Sequence, residues 1–412
     1  MEKVNERNNK TICLPFNSKE YYQSCIEDTE AFRQFLVSSY AQYPEIFPSD
    51  FTMSFKFNGF VSSKKQDGFL MRRIKLKNRN EDCYQIRPSF MMPYQIAETK
   101  EVDKALYLRH WGVPFDALAY VFGRDAMFWY RAYLSQGRNS IVGATVKKAE
   151  FLPEHVLADE KHTRLKGDKV YIASTAAQGL LLGSALTSAA NIEALAEAYK
   201  DFKEEAQNIA PEYQPKTVNT DGWEATQKAW KKLFPTVVTI LCFLHAFLKI
   251  RDRCKRSKEL LKEIGEKVWN VYCAETLSKF SQRMRRLKDW AKSHLTEGAV
   301  KDKVLSLCEK SSEFKPAFAY PEAYRTSNQI DRLMDYQDRV LYSIKYFHGT
   351  SISANLYVRS MALAWNFHPY GSKTLSQDPN RSSPFNDLNG FCYHENWLEN
   401  MLVASSMGGW RR

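Results

Sequence analysis

The sequence lacks the features that stabilise a small secreted protein or anchor a chain in a membrane. Its eight cysteines form no Cys-x-x-Cys pair, so their spacing encodes neither a disulfide scaffold nor a zinc ribbon. The longest apolar stretch, 236–250, contains His245 and Lys249 and is too short to cross a bilayer. The first ten residues carry charges with no apolar run behind them, unlike a signal peptide. We therefore expect a cytoplasmic protein with no membrane partner.

Acidic residues are also in short supply. The chain has 59 Lys and Arg against 47 Asp and Glu, a net charge of +12, which favours a polyanionic partner, either nucleic acid or an anionic membrane surface. Charge alone does not choose between the two. Most of the excess falls in 246–303, where 16 Lys and Arg stand against 8 Asp and Glu. The pattern there is helical, so this segment is either a solvated helical surface or a surface that contacts DNA.

Residues 51–92 are predicted to form short strands separated by polar turns. They carry a basic stripe, which is either a solvated strand face or a phosphate contact and consists of Arg72, Arg73, Lys75, Lys77 and Arg79.

Residues 102–134 form three short helical segments, broken at 112–114 and at Gly123. Short helices joined by glycine-containing turns predict a helix-turn-helix. Its third segment would place Arg124, Arg131 and an aromatic side chain, Trp129 or Tyr130, against DNA. Three packed helices with no nucleic-acid role are the alternative.

From residue 151 the pattern changes to that of an α/β protein. Three closely spaced strands are followed by helix, strand, helix, strand and helix, which predicts one mixed sheet in the order of a ribonuclease-H-like fold. We expect five regions: 1–100 with short strands and possible DNA contact; 101–150, a helix-turn-helix DNA-binding domain; 151–245 with 322–350, the catalytic core; 246–321, a basic helical insertion; and 351–412, a helical carboxyl-terminal region.

Two aspartates stand out within this α/β region. Asp159 lies inside an apolar strand, where a charge is costly without a partner or a purpose. Asp221 ends a strand immediately before Gly222, at the edge where α/β sheets commonly bind ligands. Each signal is weak alone, because strand-end aspartates often cap helices. On neighbouring strands, however, the two carboxylates could share a divalent cation.

Four segments together resemble a known family. LADEKHTRLKGDKVYIA, VNTDGWEATQKAWKKLFP, CFLH and YRTSNQIDRLM span about 155–340 and resemble the DDE transposases of bacterial insertion sequences. The likeness is nearer to the Mutator-like branch, which has a helical insertion, than to retroviral integrases. It implies two Mg²⁺ or Mn²⁺ ions, double-stranded DNA at element ends and target as substrate, a homo-oligomer, and association with the nucleoid in a bacterium.

The resemblance also assigns the catalytic and metal-binding acids. It implies that they are Asp159, Asp221 and Asp331. Relatives typically have Ser-Asn-x-x-Glu at the third position, whereas this chain has aspartate. Asp335 is the rival third acid, since it shares a helical stripe with Asp331 and Asp338.

Several nearby residues are candidates for supporting roles. Cys242 and His245 make only a weak zinc half-site on spacing. The resemblance implies that His245 lies near the metal centre or the DNA, with Cys242 and Asn328 as further residues beside the metal ligands. A packed cysteine with a hydrogen-bonded core histidine is the alternative. Lys161 and Arg164 follow the first acid and either contact phosphate or are solvated. Strand alternation places Asp159 and Lys161 on one face and Glu160 and His162 on the other.

The expected activity is therefore metal-dependent cleavage at element ends followed by strand transfer into target DNA. Two other functions stay open. One is a non-catalytic DNA-binding protein derived from a transposase, and the other is a ribonuclease-H-like nuclease that cuts without joining.

Overall fold

The computed structural model describes residues 10–51, 54–63, 68–77, 82–254 and 257–410, and it has an α/β architecture with two mixed sheets. The first sheet has the order β1-β4-β3-β2, with β1 parallel to β4 and the other pairs antiparallel. Its elements, with two helices between the first two strands, are β1 (Thr11–Leu14), α1 (Lys19–Glu27), α2 (Thr29–Gln42), β2 (Phe55–Ser63), β3 (Phe69–Leu76) and β4 (Cys83–Pro88).

The basic stripe of this sheet is partly an internal feature. Arg72 is only 7% exposed, its guanidinium donates to the Ile26 carbonyl and the Thr29 hydroxyl, and it lies over the ring of Phe57. Arg72 therefore ties α1 and α2 to the sheet, and it is not available for a phosphate. Arg79 lies outside the described residues.

Four helices follow: α3 (Thr99–His110), α4 (Phe115–Phe122), α5 (Ala126–Gln136) and α6 (Ile141–Thr145). Gly112 and Gly123, at the predicted breaks, have φ of +85° and +71°, values that favour glycine. Of the two aromatic side chains predicted as alternatives for facing DNA, Trp129 is 2% exposed and its indole N–H donates to the Gly123 carbonyl, so it is not available for that contact. The prediction for Tyr130 stays a prediction. Arg124 and Arg131 are exposed, and their contact with DNA stays a prediction.

The second sheet has the order β7-β6-β5-β8-β9. The first three strands along the chain are antiparallel, and the last two run parallel to β5. The strands are β5 (His155–Leu165), β6 (Asp168–Ala177), β7 (Leu180–Thr187), β8 (Thr217–Thr220) and β9 (Val238–Leu241), and the connecting helices are α7 (Ile192–Ile209) and α8 (Glu224–Leu233).

The helices cover both faces of this second sheet. α7 and α8 pack on one face through a cluster that includes Val156, Ala158 and Phe202. Two later helices, α14 (Asn328–Tyr342) and α15 (Ser351–Phe367), pack on the other face, where Leu157 and Ile172 are buried. Successive residues of β5 therefore serve different cores, as strand alternation requires.

A helical segment separates β9 from α14. It has its own core, which includes Ile264, Phe280 and Val304, so it packs as a compact unit beside the sheet. Its helices are α9 (Phe243–Arg251), α10 (Lys258–Tyr272), α11 (Leu277–His294), α12 (Ala299–Glu309) and α13 (Ser311–Phe314).

The carboxyl-terminal helices join the remaining parts of the molecule. They are α15 with α16 (Ser372–Gln377), α17 (Pro384–Asn389) and α18 (Trp397–Ala404). One continuous apolar cluster extends from Ile12 to Met407 and includes the first sheet, α3 to α6, and one face of the second sheet. In addition, Arg359 of α15 makes a buried ion pair with Glu205 of α7 and so joins helices from the two faces of the second sheet. Among the described helices, none is long and apolar enough to cross a membrane.

Candidate metal centre

Three ligating side chains from distant parts of the sequence meet at one edge of the second sheet. They are Asp159 of β5, His245 in the first turn of α9, and Asp331 in the first turn of α14, and the potential ligand atoms all lie within 4.8 Å of one another. Each of the three side chains is partly buried. Two carboxylate oxygens and an imidazole nitrogen at this spacing could bind one divalent cation.

Local structure explains how β5 delivers Asp159 to this edge. Asp159 points towards α14, as does Lys161 two residues later, whose ammonium lies 2.6 Å from a carboxylate oxygen of Asp338. Glu160 points to the opposite face, where its carboxylate accepts 2.7 Å hydrogen bonds from the Tyr199 and Thr226 hydroxyls. The structure confirms the prediction that Asp159 and Lys161 lie on one face of β5 and Glu160 on the other.

The cysteine of the Cys-x-x-His segment starts the helix that carries the histidine. Cys242 follows β9 directly and is the N-cap of α9, with its Sγ accepting the His245 backbone N–H at 3.4 Å. This cap fixes His245 in the first helical turn, at the carboxyl edge of the parallel strands. Cys242 is therefore a packed capping residue, and the histidine faces the acids.

Ser327 connects the two helices that hold His245 and Asp331. Its hydroxyl donates to an Asp331 carboxylate oxygen at 3.2 Å and lies 3.1 Å from Nδ1 of His245. Its backbone N–H donates to the Cys242 Sγ at 3.2 Å, and the residue is 3% exposed. The start of α14 is thereby tied to the start of α9.

Asp221 lies beside this group of ligands but is not one of its three members. It follows β8, and its Oδ1 accepts the backbone N–H of Trp223 at 2.8 Å. The turn requires Gly222, which has a φ of +89° and whose added Cβ would lie 2.4 Å from Leu241 Cδ1. The Asp221 charge acts on Asp159, as the pKa of the latter shows.

The acids of the centre repel one another in a partly buried setting. Burial, together with the charge of Asp221, raises the pKa of Asp159 to about 6. Burial also raises the pKa of Asp331, although His245 and Ser327 oppose this. A bound cation would relieve this repulsion, so the electrostatics fit a metal.

The pKa of the neighbouring base, His245, is raised as well, which favours its charged form. A hydrogen bond with the Cys242 side chain, aided by the charges of Asp159 and Asp331, raises the pKa of His245 to about 9 against its burial. Burial by itself would raise the pKa of the Cys242 thiol, but its hydrogen bonds with His245 and Ser327 outweigh burial and lower that pKa. Positive charge on His245 thus balances part of the charge of the acids.

The other predicted residues do not belong to the group of ligands. Asp335 and Asn328 are exposed on α14, and Arg164 is exposed on β5. Of the two rival third acids, the structure brings Asp331, and not Asp335, to Asp159 and His245.

Three further residues near the centre escaped prediction. Ser327 is the first: it begins the Ser-Asn-x-x-Glu pattern, but that pattern does not predict a contact with His245. Burial raises the pKa of the second, Glu160, to about 7, on the opposite face of the strand that carries Asp159. The third, Lys310 at the end of α12, has its ammonium 3.9 Å from the position that a β-carbon would occupy on Gly222. Two sequence signals could have drawn attention to these residues: the Ser-Asn-x-x-Glu pattern for Ser327 and the immediate succession of Asp159 and Glu160 for Glu160.

Comparison with known proteins adds no assignment, since no protein-family model and no curated protein matches the sequence.

Proposed function

We propose that the protein is a DDE-type transposase with a ribonuclease-H-like catalytic core and a basic helical insertion. The order β7-β6-β5-β8-β9 supports the fold assignment, because it combines three antiparallel strands with two that run parallel to the first of them. A central first strand bearing an acid is what such an active site requires.

The observation that carries the proposal is the convergence of Asp159, His245 and Asp331. Asp159 and Asp331 lie on opposite sides of the helical insertion in sequence, yet their carboxylates belong to one group within 4.8 Å. The two carboxylates repel each other in this partly buried setting, and a bound cation would relieve that repulsion. Asp221 contributes a further carboxylate beside Asp159.

The donor set fits Mg²⁺ or Mn²⁺, since carboxylate oxygens are the preferred ligands of both ions. Divalent cations at such a centre activate the attacking oxygen and neutralise the charge that develops on the phosphate. Asp159, Asp221 and Asp331 would hold them. With Asp331 in place of the longer glutamate, the start of α14 has to lie closer to β5, and the bond from Ser327 fixes the carboxylate there.

The reaction has two displacements at phosphorus. In the first, water attacks the phosphodiester at the element end, the P–O bond to the 3′ oxygen breaks, and a 3′-hydroxyl and a 5′-phosphate result. In the second, that 3′-hydroxyl attacks a target phosphodiester, a new P–O bond forms, and the displaced target 3′ oxygen takes up a proton. Neither step needs a covalent enzyme intermediate.

The positive charge of the helical insertion suits a polyanionic substrate. The helical insertion adjoins the centre through α9 and Lys310, and it holds most of the positive excess of the chain. DNA that contacts the insertion would therefore pass next to the carboxylates. We propose double-stranded DNA as the substrate and a homo-oligomer that holds two element ends.

Substitution of the acids tests the proposal. Asp159→Asn and Asp221→Asn should each abolish metal-dependent cleavage of DNA bearing the element ends while leaving DNA binding intact. Asp289→Asn, an exposed aspartate on α11, is the matched control and should cleave normally. Full cleavage by either active-site variant would contradict the assignment.

The same assay decides between the rival third acids. Asp331→Asn should eliminate cleavage, whereas Asp335→Asn should keep most of it, because only Asp331 belongs to the group of ligands. The opposite result would show that Asp335 is the third acid.

A further inference from the structure

The hydroxyl of Ser327 occupies a position between a histidine and an acid of the centre. It is 3.2 Å from Asp331 Oδ2 and 3.1 Å from His245 Nδ1, and the Cys242 thiol also lies 3.2 Å from it. With 3% exposure the residue has almost no access to water. Its few hydrogen bonds are therefore set by these three neighbours.

The protons of this network can be assigned from the donors and acceptors. A serine hydroxyl has one proton to donate and two lone pairs that accept. An ionised Asp331 can only accept, so the Ser327 proton points to Asp331. The Ser327 oxygen then accepts from its other neighbours, which requires the His245 proton to be on Nδ1. Without a cation His245 is protonated on both ring nitrogens; a cation that binds at Nε2 would displace the proton there and leave the Nδ1 proton directed at Ser327.

We propose that Ser327 is a positioning residue that makes Nε2 of His245 a ligand of the catalytic cation, so that the centre prefers Mn²⁺ to Mg²⁺. This inference rests on the proposed function, since it concerns the metal of that same site. Metal-binding histidines commonly donate their second ring N–H to an oxygen that fixes the tautomer and the ring orientation. Ser327 provides that oxygen here.

The metal preference follows from the ligand types. Mg²⁺ favours an all-oxygen shell, whereas imidazole nitrogen increases the affinity of first-row transition metals such as Mn²⁺. Asp159 and Asp331 supply the oxygens in either case. His245 is the residue that discriminates between the two ions, and Ser327 is the residue that orients it.

Electron spin-echo envelope modulation of the Mn²⁺-loaded full chain tests this directly, because it detects ¹⁴N bonded to Mn²⁺. The wild-type protein should show imidazole nitrogen coupling, and H245Q should lose it. S327A should lower the Mn²⁺ affinity by about 10- to 100-fold and weaken the coupling, as expected when a hydrogen-bond partner of a ligand is removed. S327T keeps the hydroxyl and should restore both.

Isothermal titration with each ion measures the preference. Wild type should bind Mn²⁺ more tightly than Mg²⁺, and H245Q should reduce that ratio by about tenfold, mainly through the Mn²⁺ constant. Thermal unfolding of each variant at zero metal distinguishes a loss of ligand orientation from a loss of fold. An S327A protein that stays folded and binds metal weakly supports the inference.

Two results would overturn the inference in different ways. Tight Mn²⁺ binding without nitrogen coupling in the wild type would show that only carboxylates hold the cation, which refutes the role of His245 and leaves the proposed function intact. Unchanged coupling and affinity in S327A would refute the positioning role of Ser327. Absence of any divalent-ion binding by the wild type would instead contradict the metal-dependent function itself.

Discussion

Two stacked histidines at the junction of α3 and α15 should make the stability of this protein depend on pH. The rings of His110 and His368 are 3.5 Å apart at 17°, and Tyr107 and Tyr336 stack on their outer faces. Both histidines are buried, and two of their ring nitrogens, Nδ1 of His110 and Nε2 of His368, lack a hydrogen-bond partner among the described residues. A proton added to either ring would be buried without a counter-charge.

The direction and size of the effect follow from the pKa values. Burial lowers the pKa of His110 to about 2 and that of His368 to about 4, and the charge of Arg339 adds to both shifts. In the unfolded chain both pKa values are near 6.5. The histidines therefore cost no stability above about pH 6.5, and the free energy of unfolding decreases as the pH falls from there towards the pKa values of the folded protein. At pH 5 each histidine lowers the free energy of unfolding by about 2 kcal/mol. The reason is that pH 5 lies about 1.5 units below the pKa of histidine in the unfolded chain, and one unit is worth about 1.4 kcal/mol.

Urea denaturation at pH 7.5 and pH 5 measures this loss. The substitution H368F keeps an aromatic ring in the stack and should recover about 2 kcal/mol of the acid-induced loss, and the double variant H110F/H368F about 4 kcal/mol. H348Q alters an exposed histidine and should behave as wild type. If the wild type and the double variant lose the same free energy of unfolding between pH 7.5 and pH 5, the reasoning is refuted.

Three other substitutions test separate parts of the structure. Gly222→Ala should destabilise the protein by about 1–3 kcal/mol and impair cleavage, because φ is positive there and the added β-carbon meets Leu241. Gly179→Ala, where φ is +80° and the added β-carbon has open space, should cost less in thermal unfolding. Lys310→Gln should raise the KM for DNA with little change in Mn²⁺ affinity by titration; tighter metal binding would instead show that the ammonium occupies a cation position. Arg359→Leu should cost about 3–5 kcal/mol in urea denaturation, because Glu205 stays buried without its partner, and a loss below 1 kcal/mol would contradict this.

Much of the fold follows from local pattern. The helix breaks at Gly112 and Gly123 and the strand that ends before Asp221 were predictable, because turn chemistry and periodicity act over a few residues. The alternation of Asp159 and Glu160 between two faces was predictable for the same reason. Each of these features depends on the geometry of a single element.

The contacts that assemble the centre were not predictable in this way. Ser327 and His245 belong to different helices, and their contact depends on how α9 and α14 dock against the sheet. The choice between Asp331 and Asp335 is also tertiary, since both lie on the same helical stripe and only docking decides which one reaches β5. Trp129, one of two alternative aromatic side chains predicted to face DNA, is buried because α5 packs against α4 and α15, and the pattern along one helix does not reveal such packing.

Strand transfer by the purified wild-type chain tests the central claim most directly. DNA oligonucleotides with the element-end sequence and a free 3′-hydroxyl would be incubated with a supercoiled plasmid and either Mn²⁺ or Mg²⁺. A transposase joins the oligonucleotide covalently to the plasmid, and Asp159→Asn removes the joined product while the protein still binds the ends. Cutting without joining would contradict the account in favour of a nuclease, and binding without either reaction in both metals would contradict it in favour of a non-catalytic DNA-binding protein.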